Sequence, residues 1–192
     1  MRVTLGSEYS KRDVHAQWVG NFDDELMAST SGVRHVFGRL DYQELSFRMR
    51  MDWSFSPKLT FQSFLKPLFA TGSYSEFKEF ATPGTYDFND YGVDGDSTID
   101  DVDGTYVVDP DGSGAADPFE FGDPDFNFKS LQVNAVLRWE YNPGSTFYFV
   151  WTQDRLNFDD PGDMSMRRDV DSLLESPGDD IFMVKITSWL DF

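Results

Sequence analysis

The sequence predicts an all-β protein: an antiparallel transmembrane β-barrel segment, about six C-terminal strands of a larger barrel, with long acidic extracellular loops. Three observations predict it. Apolar and polar residues alternate with period two over stretches of roughly 9–11 residues, the length a tilted strand needs to cross a bilayer and about twice that of a sandwich strand. Short Pro-bearing turns alternate with long connections, as in outer-membrane barrels with short periplasmic turns. Aromatic residues make up 17% of a chain whose mean hydropathy is only −0.46. An acidic disordered chain lacks such aromatics. The longest uninterrupted apolar run, "FYFVW" at 147–151, is far too short for a spanning helix.

The strands follow in order. In 2–17, Val3, Leu5 and Tyr9 share a phase that shifts near "VHAQW". In 35–55, "LSFRMRMDWSF" sets Leu45, Phe47, Met49, Met51, Trp53 and Phe55 against Ser46, Arg48, Arg50, Asp52 and Ser54, without exception. After the turn "SPK", 59–70 opposes Leu59, Phe61, Leu65, Pro67 and Phe69 to Thr60, Gln62 and Lys66. In 129–141, Leu131, Val133, Ala135, Leu137, Trp139 and Tyr141 oppose Gln132, Asn134, Arg138 and Glu140. The turn "NPGS" leads into 146–156, where Phe147, Phe149 and Trp151 oppose Tyr148, Thr152 and Asp154. In 181–192, Phe182, Val184, Ile186, Leu190 and Phe192 oppose Lys185, Thr187 and Asp191. Strand direction puts the C-terminus in the periplasm. Trp53, Phe55, Trp139 and Tyr141, beside the short turns, form a candidate periplasmic aromatic girdle.

Six strands are fewer than the minimum of about 8 that closes a barrel, and an open edge is not tolerated in lipid. The expectation is therefore the C-terminal part of one longer barrel, residues 1–192, with one stave of an oligomeric barrel as the alternative. No apolar signal segment follows Met1-Arg2, so an export signal is expected upstream. The net charge of −18 and pI near 4.2 argue against nucleic acid as a partner, which needs an extended basic surface. There is no cysteine, hence no disulfide or thiolate site.

The candidate lumen-facing polar residues are Arg48, Arg50, Asp52, Gln62, Lys66, Gln132, Asn134, Arg138, Glu140 and Lys185. They line a water-filled, porin-like pore or pair with one another across a filled lumen. Two extracellular loops are expected, at 71–128 and 157–180, with a short helix through "RRDVDSLLE" in the second. Between Lys78 and Lys129 there is no Lys or Arg. There Asp94, Asp96, Asp101, Asp103, Asp109 and Asp111 form Asp-x-Asp pairs near glycines, oxygen-rich turns that suit Ca²⁺. No EF-hand loop is present, and a solvated acidic loop is the competing expectation.

The stretches 35–80, 125–153 and 179–192, above all "LRWEYNPGSTFYFVWTQ", resemble the C-terminal barrel region of a widespread, uncharacterised bacterial family. Its members carry an N-terminal carbohydrate-binding domain of the family-9 type, followed by an outer-membrane β-barrel domain of unknown function. The resemblance implies a longer parent protein in the bacterial outer membrane. The implied partners are the lipid bilayer and lipopolysaccharide, the rest of its own barrel or other subunits, and a glycan bound upstream. The terminal Phe192, with Leu190 and Ile186, looks like the C-terminal signal read by the barrel assembly machinery. No catalytic residue is carried over. His15 and His35 lack zinc-site spacing and there is no nucleophile elbow. The alternatives are a soluble calcium-dependent glycan-binding β-sandwich, and the carrier region of a glycan hydrolase whose active site lies upstream.

Overall fold

A computed structural model describes residues 1–190. Six long strands form one continuous antiparallel sheet: β1 (Arg2–Asp23), β2 (Val33–Ser56), β3 (Leu59–Phe80), β8 (Phe126–Asn142), β9 (Ser145–Asp159) and β10 (Gly178–Thr187), neighbours in that order. A three-residue strand β4 (Phe88–Asp90) adds to the far end of β3. Between β4 and β8 the chain builds a second sheet from β5 (Thr98–Val102), β6 (Thr105–Asp109) and β7 (Phe119–Gly122). A single α-helix, α1 (Met166–Glu175), connects β9 to β10. The fold is all-β, its sheets are antiparallel, and the large sheet is not closed: β1 and β10 each have one free edge.

The alternating pattern sets the register. Antiparallel partners share a face, so a slip of one residue would exchange the faces. Pairing puts Leu5 beside Met49, Leu45 beside Phe69, Leu65 beside Val133, Leu137 beside Phe149, and Val184 beside Phe149. These residues define one side of the sheet, the Leu45 face. Residues of opposite parity, Arg48 among them, define the other, the Arg48 face. β2 itself is irregular only beside its turn, between Ser54 and Ser56. The upper irregularities lie in its neighbours: β1 bulges after Val14 and after Trp18, where the alternation loses phase, and β3 bulges at Glu76 with φ +49°. A bulge bends and twists its strand, which lets β1 and β3 wrap around the upper part of β2.

The strands exceed the expected bounds at their upper ends. β3 continues ten residues beyond 70, to Phe80, so the first long connection begins later than 71. β8 begins at Phe126 and β10 at Gly178. The extra length is stabilised by packing that the alternation does not announce. On the Arg48 face, Val36, Phe77, Tyr91 and Val108 form a buried cluster, with Phe22, Ile99, Tyr106, Phe119 and Phe121 packed against it. The small sheet thus lies on the upper part of β1–β3. Phe119 stacks on Phe22 with centroids 4.5 Å apart, and Phe121 meets Phe77 edge-on at 5.1 Å. On the opposite, Leu45 face, α1 lays Leu173 against Phe69 and Leu131. β10 ends at Thr187, short of the expected 192, because its ladder ends at the pair Thr187–Thr146, one residue from the start of β9. Phe192 lies outside the described residues.

Candidate functional site

The ten polar residues expected to share a face do so. Gln62 lies opposite Asp52 and donates Nε2–H to Asp52 Oδ1 at 3.0 Å; Gln132 lies opposite both Lys66 and Asp154. Asn134 donates to Thr152 Oγ1 at 3.0 Å, and Arg138 Nε to the Tyr148 hydroxyl at 3.3 Å. Arg138 and Glu140, on the same strand, stand 3.8 Å apart. Lys185 sits opposite Tyr148. Arg50 places its guanidinium over the Phe64 ring, 5.8 Å from its centroid. Arg48, Lys66 and Lys185 have no ion-pair partner among the described residues.

Each face changes character part-way along the strands. On the Leu45 face, β2 is mainly polar at the top, with His35, Arg39, Asp41 and Gln43 around Phe37, which packs on Phe80 and Phe88, and is apolar from Leu45 down to Phe55. On the Arg48 face the order is reversed: Val36 and Leu40 are buried above, and Ser46, Arg48, Arg50 and Asp52 lie below. The same inversion on the Leu45 face recurs in the other strands. Its apolar stretch is bounded by Tyr9 on β1, Phe69 on β3, Leu131 on β8, Trp151 on β9 and Phe182 on β10, with only Ser7 and Ser63 interrupting it. Most of this stretch is uncovered: Leu5 is 73% exposed, Trp139 50% and Phe182 64%.

The boundary of the apolar stretch is oblique to the hydrogen-bonded rows. Tyr9 pairs with Leu45 and Leu45 with Phe69, but Phe69 pairs with Lys129, Leu131 with Arg155, and Trp151 with Phe182. From β1 to β10 the boundary descends about six residues over five pairings. At ~3.3 Å per residue and ~4.8 Å between strands, that is a slope of about 40°.

At the lower margin, Trp53 stacks on Phe55 at 4.4 Å and Trp139 meets Tyr141 at 6.1 Å. These four girdle candidates lie on the Leu45 face beside the turns after β2 and β8. Ile186 is on this face too and is 63% exposed; Leu190 follows the end of β10.

Two buried polar networks fasten the upper structure, and alternation gives no sign of either. Arg34 bridges Asp24 at 2.7 Å and both Glu79 oxygens at 2.5 and 2.6 Å, and the Tyr91 hydroxyl donates to Glu79 at 3.1 Å. Burial opposes the charge on Arg34, but its hydrogen bonds and ion pairs with Glu79 and Asp24 outweigh that and hold its pKa up. Burial, reinforced by Glu79, drives the Tyr91 phenol well above its ordinary value. The second network holds α1. Asp169, fully buried, accepts from Asn127 Nδ2 at 3.0 Å, from the Ser165 N–H at 2.8 Å and from Arg168 Nε at 3.0 Å.

The loop aspartates take part in local turns. Asp94 accepts the Asp90 N–H, Asp101 the Gly104 N–H, Asp109 the Gly112 N–H at 2.8 Å, and Asp111 those of Ala115 and Ala116. Asp103 sits at the β5–β6 turn with φ +53°, and Asp96 packs its carbonyl against Gly112. Among the described residues, no group of three or more His, Asp or Glu side chains is arranged to hold a metal ion.

The class defined is therefore an open antiparallel all-β sheet whose faces exchange polarity along an oblique line. A family model described as a domain of unknown function, DUF5916, matches residues 1–192, and the chain belongs to that family. Comparison with curated proteins and with solved structures finds no match.

Proposed function

We propose that residues 1–192 form part of the wall of an outer-membrane β-barrel. The other strands of the barrel pair with the free edges of β1 and β10. The observation that carries the proposal is the oblique exchange of polarity. A soluble sandwich buries one face along its whole length. A strand that leaves a bilayer needs an apolar outer face only within the lipid. Barrel strands tilt by about 35–45° to the axis, so a membrane plane must cross the rows at such an angle. The slope of about 40° meets that requirement. No helix among the described residues is long and apolar enough to cross a membrane, so any crossing would be by strands.

In this arrangement the Leu45 face meets lipid below the line, and the Arg48 face looks into the lumen. The small sheet β5–β7 covers the extracellular mouth, and α1 rests at the outer rim at lipopolysaccharide level. Trp53, Phe55, Trp139 and Tyr141 mark the periplasmic interface. The loop aspartates act as turn formers in the cap. The domain serves as pore, anchor or partner platform, linked to carbohydrate binding or uptake through an upstream domain.

The test is extraction of the full-length parent from membranes. The expected result is extraction only by detergent, with gel migration that changes on heating. A monodisperse protein without detergent overturns the proposal. Conductance in planar bilayers then separates pore from anchor.

A further inference from the structure

The chain holds 34 acidic residues for 16 basic ones, so a basic side chain has no shortage of partners. Lys11, Arg34, Arg39, Lys78, Lys129, Arg138 and Arg168 each lie within 4 Å of a carboxylate oxygen. The other nine do not among the described residues, and four of these nine, Arg2, Arg48, Arg50 and Lys66, are neighbours on the Arg48 face. Arg50 lies opposite Thr4, Arg48 opposite Gly6, and Arg2 opposite Asp52. The pairs Ser46–Leu68 and Met49–Leu65 on either side place Arg48 opposite Lys66. Like charges directly across a ladder are destabilising, so this placement works against folding.

The space beside them is open. A Cβ on Gly6 would meet nothing within 4 Å. Gly6, Ser46, Arg48 and Lys66 line one recess with Glu8, and Gly6 and Arg48 also line a second with Arg2, Thr4, Arg50 and Asp52. The two carboxylates in the lining, Glu8 and Asp52, offset only two of the four positive charges, and neither makes an ion pair among the described residues.

We propose that this double recess binds an oxyanion-bearing solute, one carrying phosphate, sulfate or carboxylate groups. Arg48 and Arg50 supply planar guanidinium forks suited to bidentate contact with such groups, and Lys66 a point charge opposite them. A bound anion relieves the repulsion between Arg48 and Lys66. The site deepens the barrel proposal and rests on it, since water and solute reach this face through the lumen.

Calorimetric titration of the detergent-solubilised full-length protein tests it, with pyrophosphate, sulfate and an oligogalacturonate as probes at fixed ionic strength. At least one probe is expected to bind saturably. Its affinity is expected to fall at least tenfold in Arg48→Gln and in Lys66→Gln, and to stay the same in Arg167→Gln, which removes an equal charge on α1. The two inorganic probes against the oligosaccharide distinguish a free anion from an acidic glycan as the source. Absence of binding by all three, or equal loss in Arg167→Gln, overturns the site. The barrel proposal fails separately, by solubility without detergent. Heat-dependent migration of each variant checks that loss of binding is not loss of fold.

Discussion

The upper and lower halves of the same strands solve opposite problems. Above Leu45, β2 buries Arg34, Val36 and Leu40, with Val36 packed against the small sheet, and turns Arg39 and Asp41 to solvent. Below it, the strand leaves Phe47, Trp53 and Phe55 exposed on one face and Arg48 and Arg50 without an ion pair among the described residues on the other. The upper half is organised like a soluble domain, with its own apolar cluster and paired charges. In the lower half the apolar stretch is covered at its top, where α1 packs on Phe69 and Leu131. One continuous strand, free of bulges from Val33 to Ser54, passes through both, so the difference comes from what surrounds it and not from backbone geometry.

The largest expected effect tests the upper half. Arg34→Met leaves Glu79 and Asp24 buried without their cation. Breaking a buried pair by removing one partner costs about 3–5 kcal/mol. The expected outcome is release of the cap, read as rapid proteolysis between Phe80 and Phe126. The corresponding change below the line, Arg48→Met, is expected to leave cleavage unchanged, because it removes a charge that has no partner.

The next test reverses the halves. Met51→Arg places a charge where the proposal puts lipid, at a cost of about 2–4 kcal/mol near the midplane. Gln43→Arg, on the same face but above the line, is expected to be neutral. Unfolding in detergent or lipid vesicles measures both. Equal effects at 43 and 51 would remove the distinction between the halves.

Gly72→Ala gives a smaller effect at the seam. An added Cβ would stand 2.3 Å from the Phe126 ring and 2.8 Å from Leu40 Cδ1. Overpacking of this kind costs about 1–3 kcal/mol. The smallest effect is a pH dependence in the upper half. Burial raises the Asp125 carboxyl above its ordinary range, although it accepts the Tyr74 N–H at 2.5 Å. An acid whose folded pKa is raised adds stability that is complete below its unfolded pKa and is lost as pH rises through the raised value. Asp125→Asn is therefore expected to flatten the stability profile over that interval, measured as cap protection in hydrogen exchange.

The lower half was legible in the sequence. Alternation from Leu45 to Phe55 and from Leu131 to Tyr141 gave the faces and the shared side of Arg48, Lys66 and Asn134, because period two fixes the parity of a paired strand; the pairing of particular residues was not legible in it. The upper half was not legible to the same degree. Its strands interleave polar and apolar residues on both faces, since one face meets solvent and the other meets a cap made by distant residues. Arg34, Glu79 and Tyr91 come together across 45 and 12 residues of chain, and nothing local announces such a network. The positive φ at Glu76 that begins the bend carries no glycine signal either. Within the first long connection, it is Phe119 and Phe121 that pack this acidic segment against Phe22 and Phe77.

These 192 residues contain no cysteine, so single-cysteine spin labels can be placed along β2 of the full-length protein in lipid vesicles, with any cysteine elsewhere in it replaced by serine. Accessibility to oxygen, which concentrates in lipid, is then compared with accessibility to a water-soluble nickel chelate. From 45 to 55, oxygen accessibility is expected to peak at every odd position and the nickel chelate to reach only the even ones. At 39, 41 and 43 the odd positions are expected to switch to the chelate. Odd positions from 45 to 55 that favour the chelate, or that are shielded from both reagents, would contradict a lipid-facing lower half.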